Sequence, residues 1–183
     1  MPNSKVKMIS TSYYKRNSVI NLNLDDKLLV SQIIKAQNMN IERNLGSNLF
    51  NSILAEITTG IVSPRYATLL QDYIQPALVE WVTYIALPYL NYKFVNKGVV
   101  KKSSDNSESA DLNEINFLRQ DIRNDAEYLS DRLVKFLISN VDTYPEYNTG
   151  NNDCDDIRPK KNNFFNGVYL SGNDYKDDEG NNY

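Results

Sequence analysis

Between Asp111 and Asn140, apolar residues recur at alternating three- and four-residue steps: Ile115, Leu118, Ile122, Ala126, Leu129, Leu133 and Phe136. That period belongs to an α-helix and to no strand. The other side carries Arg119, Asp121, Arg123, Asp125, Arg132 and Lys135. Asp111 is a favourable N-cap with Glu114 three residues on, a variant of the capping box. The spacing predicts an amphipathic helix of about thirty residues, ~45 Å long. A rod of that length with one apolar stripe needs other helices to lie along, which points to an all-α fold.

Three further helical segments precede it. The first is expected from Asp25, an N-cap, to about Asn38, with Leu28, Leu29, Ile33 and Ile34 on its apolar side. The second is expected from about Ser47 to Thr58, ending at Gly60, with Leu49, Phe50, Ile53, Leu54 and Ile57 at helical spacing. The third opens with Ser63-Pro64, a capping residue and the proline tolerated in a first turn. Pro76 and Pro88 lie inside it, and each should break or kink the helix. It is apolar on nearly every side, leaving only Glu80, Thr83 and Asn91 as a polar seam. Such a helix is central, covered by its own core or by neighbouring subunits. It is expected to stop at Gly98, followed by a loop over Val99–Ala110. The fold expected is thus a four-helix subunit with a Pro-kinked central helix and a long C-terminal amphipathic helix.

Two irregular arms flank these helices, giving an N-terminal arm over 1–22, a helical domain over 23–147 and a C-terminal arm over 148–183. Tyr144-Pro145-Glu146-Tyr147 reads as extended. Beyond it Asn and Gly dominate, yet Phe164, Phe165, Val168, Tyr169 and Leu170 stand among them. Apolar residues on a long arm point to docking, either on a partner or back on the chain's own helices.

The 183 residues include no histidine and one cysteine. Imidazole chemistry is thereby excluded, as are intrachain disulfides and sites built on several thiolates. Cys154 sits among Asp153, Asp155 and Asp156, whose charges blunt a thiol's reactivity. Gly46, Gly60 and Gly98 are isolated and form no phosphate loop. The acidic runs at 151–156 and 174–180 lack the calcium-loop spacing. No catalytic residue, metal site or cofactor is expected. The most apolar stretch, Ala77–Val95, is interrupted by Glu80, Pro88, Asn91 and Lys93, which disfavours a membrane span. Met1–Ser10 is polar and reads as no signal peptide.

Charge runs from +4 over residues 1–50 to −4 over 101–150 and −3 over 151–183. With a pI near 5.0 the chain lacks the basic signature of a nucleic-acid binder. The polarity suits head-to-tail contacts between copies, or reflects ordinary uneven solvation.

Several short motifs carry a resemblance. Asn17-Ser-Val-Ile20, Asn23-Leu-Asp-Asp26, Ala36-Gln37 and Leu45-Gly46 fall in the first half. Gln75-Pro-Ala-Leu78, Leu87-Pro88, Asn96-Lys-Gly-Val99 and Tyr144-Pro-Glu-Tyr147 follow in the second. In order and spacing, roughly over residues 10–147, they resemble head–tail connector (adaptor, neck ring) proteins of tailed phages, most of all those of crAss-like phages. The resemblance implies a virion protein at the head–tail junction that resides in the host cytoplasm during assembly. It implies a homo-oligomeric ring, twelve-fold by expectation, between the portal protein and adjacent neck or tail rings, with DNA passing through unread. Candidate partner-binding residues, from composition and exposure, are Phe164, Phe165, Val168, Tyr169 and Leu170 on the C-terminal arm and Tyr13, Tyr14, Lys15 and Arg16 on the N-terminal arm. Lys101 and Lys102 are expected to face a partner ring or the DNA channel. A DNA-packaging ring component or another phage assembly protein is the alternative, and a small carboxylate-based helical enzyme is a more distant one.

Overall fold

A computed structural model describes residues 6–19, 25–95, 98–101, 112–148, 157–159, 164–165 and 168–169. Its helices are α1 (Thr11–Asn17), α2 (Asp26–Ala36), α3 (Glu42–Leu45), α4 (Ser47–Thr59), α5 (Pro64–Leu69), α6 (Gln75–Asn91) and α7 (Leu112–Ser139). π turns over Gln37–Ile41 and Leu70–Ile74 join α2 to α3 and α5 to α6 into two continuous rods. The architecture is all-α, with the long amphipathic helix expected of it and a central rod that runs through Pro76 and Pro88. No helix among the described residues is long and apolar enough to cross a membrane.

The caps explain most boundaries. The Asp25 carboxylate accepts the Lys27 N–H at 2.9 Å, and Gly60 closes α4 in the left-handed region at φ 76°. Pro64 occupies the first turn of α5, but the hydroxyl of Ser63 donates to Glu56 Oε1 at 3.2 Å rather than capping the helix. Before Pro76 the rod widens: the Gln75 N–H reaches the Leu70 carbonyl, five residues back. A π turn at this point relieves the clash a proline ring makes with the carbonyl four residues before it.

Four expectations are corrected. The first helical rod does not end near Asn38; the π turn carries it on to Leu45. The central helix ends at Asn91 and not at Gly98. Tyr92–Val95 (β1) instead pairs antiparallel with Gly98–Lys101 (β2), because Tyr, Phe and Val favour a pleated ribbon over another helical turn. Tyr144–Tyr147 is not extended but contains a 3-10 turn over Pro145–Tyr147. Finally, the described part of the N-terminal arm is not free of the helices: Met8, Ile9 and Tyr14 belong to the core.

That core is built around α6, where Ala77, Leu78, Val82 and Ala86 are fully buried, with Leu29, Ile33 and Ala36 of α2 and Leu133 and Leu137 of α7 also buried. Tyr73 and Phe136 stack at 4.0 Å where the central rod meets α7. Tyr14 reaches in from α1, its hydroxyl 3.0 Å from Thr83 Oγ1. Thr83 directs its own proton to the Val79 carbonyl, so Tyr14 is the donor.

Candidate partner-docking surface

Two segments are held against the helices by polar side chains. The buried amide of Gln37 accepts the Met8 N–H at 2.9 Å and donates to the Val6 carbonyl at 3.0 Å, while Gln75 Nε2 donates to the Met8 carbonyl at 3.1 Å. Each glutamine sits at one of the two π turns. At the other end of the chain, the Ser47 N–H donates to the Ile157 carbonyl at 2.9 Å. The Ile157 N–H donates to Ser47 Oγ at 2.9 Å. Gly46 makes room for this segment. With φ 75° and ψ 155° it occupies a region essentially closed to other residues, and a Cβ there would lie 2.7 Å from Pro159 Cδ.

The turn after α7 is locked in the same way. Arg65 pairs with Glu146 at 2.7 Å and donates to the Thr143 carbonyl at 2.9 Å, and Tyr66 donates to Glu146 Oε1 at 2.9 Å. Burial, and after it the Glu146 carboxylate, pushes the Tyr66 phenol up to about 12. Glu146 itself is pushed up by burial, but its own backbone N–H, Arg65 and Tyr66 outweigh this and hold it below the ordinary carboxylate range.

Between α2–α3, α6 and α7 lies a valley of two adjoining cavities of about 300 and 230 Å³ that share Asn40. The larger is polar: Arg43, Asn44, Glu127 and Asp131 line it with Trp81, whose Nε1–H donates to Ser130 Oγ at 2.8 Å. The smaller is cationic and apolar, formed by Lys35, Met39, Tyr84, Ile85, Pro88 and Arg119 among others. The Arg119 guanidinium lies 4.3 Å over the Tyr84 ring, and its buried Nε has no acceptor among the described residues. Glu80, half-buried on α6, is pushed up by burial and then by Asp125.

Arg119 corrects the sequence reading of α7. The inward line runs through Ile115, Arg119, Ile122, Ala126, Ser130, Leu133 and Leu137. Arg119 takes the place against Tyr84, and Leu118, expected in the core, is left 51% exposed. Phe117 and Tyr128, 76% and 71% exposed, stand three turns apart on the outer side of α7. The four-residue step from Ile115 was the one signal for Arg119, and its charge masked it.

The expected site residues fall as follows. Tyr14 is corrected: it is fully buried in this chain's own core and offers nothing to a partner. Tyr13 is half-buried against that core. Lys15 pairs with Asp26 at 2.7 Å, and Arg16 is exposed, its Nε 3.3 Å from the Ser12 carbonyl. Phe164–Phe165 (β3) and Val168–Tyr169 (β4) pair as a short antiparallel ribbon. Lys101 ends β2 opposite Tyr92. Leu170, Lys102, Asp111 and Cys154 lie outside the described residues, as do both acidic runs.

Residues 41–157 match the model of a family described as a family of unknown function, DUF6712. No curated protein and no solved structure matches the chain.

Proposed function

We propose that this chain, which belongs to the DUF6712 family, is a structural ring subunit of a tailed-phage neck. In this reading copies close a homo-oligomeric ring, twelve-fold by the resemblance, between portal and tail at the head–tail junction. The ring lines the DNA passage and docks neighbouring rings, after a cytoplasmic stage of assembly.

The observation that carries the reading is the outer side of α7. Phe117 and Tyr128 project from a helix otherwise laced with exposed pairs such as Arg123–Glu127, at 2.8 Å, and Gln120–Asn124, at 3.0 Å. Large apolar groups set in a polar rim are the composition of a protein–protein contact. Opposite net charge in the first and later parts of the sequence favours heterologous contacts, which close into a ring when the rotation permits. The motifs of the resemblance also fall on the joints of the fold. Leu45-Gly46 receives Pro159, Gln75-Pro76 follows a π turn, and Tyr144–Tyr147 locks the end of α7.

Native mass of the chain, alone and mixed with its cognate portal, tests this. A discrete multimer, or capture of about one chain per portal subunit, is expected. A monomer in both samples overturns the docking reading.

A further inference from the structure

The smaller cavity of the valley has the chemistry of a receptor for an acidic, aromatic segment. Lys35 and Arg119 are its cations, and no acidic side chain among the described residues lines it. Its walls are apolar: Met39, Ile85 and Pro88 beside the Tyr84 ring. Arg119 is stacked on Tyr84, with its Nε–H buried and without an acceptor among the described residues. A guanidinium stacked on an aromatic ring is a favourable partner for a carboxylate, which accepts from its N–H groups and is held by charge as well.

One part of this sequence combines the required features. Residues 164–179 follow four aromatics, Phe164, Phe165, Tyr169 and Tyr175, with Asp174, Asp177, Asp178 and Glu179, against the single cation Lys176. The segment over 1–19 is basic, and the acidic stretch over 103–110 contains no aromatic residue. The tether is short as well. Pro159 is seated on Gly46, two residues beyond Asn44, which lines the adjoining cavity. Fourteen residues lie between Pro159 and Asp174, a reach of up to about 50 Å at full extension.

We infer that in the free chain the groove at Lys35, Tyr84 and Arg119 holds the acidic end of the chain's own C-terminal arm, Asp174–Glu179. This inference concerns the free chain and stands apart from the ring reading, whose test is native mass.

Zero-length carbodiimide coupling of the full chain tests it directly, since the reagent joins an amine to a carboxylate only when the two touch. At micromolar protein, the expected product is an intrachain link from Lys35 to one of Asp174, Asp177, Asp178 or Glu179, recovered by peptide mass spectrometry from the monomer band. Arg119→Ala should lower its yield at least threefold with helix content unchanged by circular dichroism, and Arg119→Lys should restore most of it. Absence of the Lys35 link, or its recovery from the dimer band alone, overturns the inference. So does binding of a duplex DNA oligonucleotide that is lost in Arg119→Ala, since the groove would then be a phosphate site.

Discussion

The backbone N–H of Met8 donates to the side-chain carbonyl of Gln37 at 2.9 Å, across 29 residues of sequence. The same amide returns a bond to the Val6 carbonyl, so one fully buried side chain imitates a neighbouring strand. Gln37→Leu keeps the volume and removes both bonds, leaving the buried Met8 N–H unpaired at about 1–3 kcal/mol and the half-buried Val6 carbonyl at less. The expected result is a loss of roughly 2–3 kcal/mol in denaturant unfolding. Faster hydrogen exchange at Met8 should accompany it while α7 is unaffected, and unchanged exchange at Met8 would refute the strap.

Tyr14 and Thr83 give a smaller and more local effect. Tyr14→Phe keeps the ring in the core and removes a hydroxyl that donates to Thr83 Oγ1 at 3.0 Å. Thr83 retains its bond to the Val79 carbonyl, so the expected cost is about 1 kcal/mol. Tyr14→Ala should cost about 3–5 kcal/mol by leaving a cavity. Equal losses for the two variants would mean that the ring is not packed as described.

The helical rods were legible because their signals are local: the alternating steps of α7, the Asp25 cap, Gly60, and Pro64 in a first turn all act within a few residues. The joints were not, because they depend on pairs far apart in sequence. Nothing near Gln37 marks it as a partner for Met8, and Gly46 reads as an isolated glycine until Pro159 is placed on it. The pairing of Tyr92–Val95 with Gly98–Lys101 is not legible in the sequence, because apolar residues continue without a break from α6 and such a run does not distinguish helix from strand. The charge of Arg119 points to solvent, although stacking on Tyr84 lets a guanidinium take an inward position.

Glu80 predicts a pH-dependent gain in stability. Burial, and after it Asp125, raises its folded-state value above that of the unfolded chain. A raised carboxyl favours the folded state fully below the unfolded value, near 4.3, and that contribution is lost as pH rises through the folded value. Above the unfolded value the folded chain therefore holds the ionised form less well than water does. Glu80→Gln should raise Tm at pH 7, and the gain should shrink toward zero near pH 4. An equal shift at both pH values would assign the effect to packing instead.

Glu146 has the opposite sign. Its net depression means that its contribution is present above the unfolded carboxylate value and lost as pH falls through the folded one. Glu146→Gln should lower Tm at pH 7, with the deficit narrowing in acid. The variant should also bring the Tyr66 phenol down from about 12, read by ultraviolet titration, because the carboxylate is one of the groups that raise it. A Tyr66 titration unchanged by the substitution would separate the phenol from Glu146.

Gly46→Ala isolates the anchor of the C-terminal segment. The added Cβ would lie 2.7 Å from Pro159 Cδ and 3.2 Å from the Ile157 carbonyl oxygen, and the backbone at φ 75° and ψ 155° is strained for any residue with a side chain. Strain of that kind costs of order 1–3 kcal/mol. Displacing residues 157–159 relieves the contact but breaks the bonds between Ser47 and Ile157. Hydrogen exchange at the Ile157 and Ser47 amides should therefore quicken at least tenfold, together with a fall in Tm. Ser47→Ala serves as the companion variant, because it removes the hydroxyl that accepts from Ile157 while leaving Gly46 free to seat Pro159. Its expected cost is about 1 kcal/mol, with the Ser47-position N–H still bonded to the Ile157 carbonyl. If Gly46→Ala proves no worse than Ser47→Ala, the seat beneath Pro159 is not what fixes the segment, and the hydroxyl bond alone holds it.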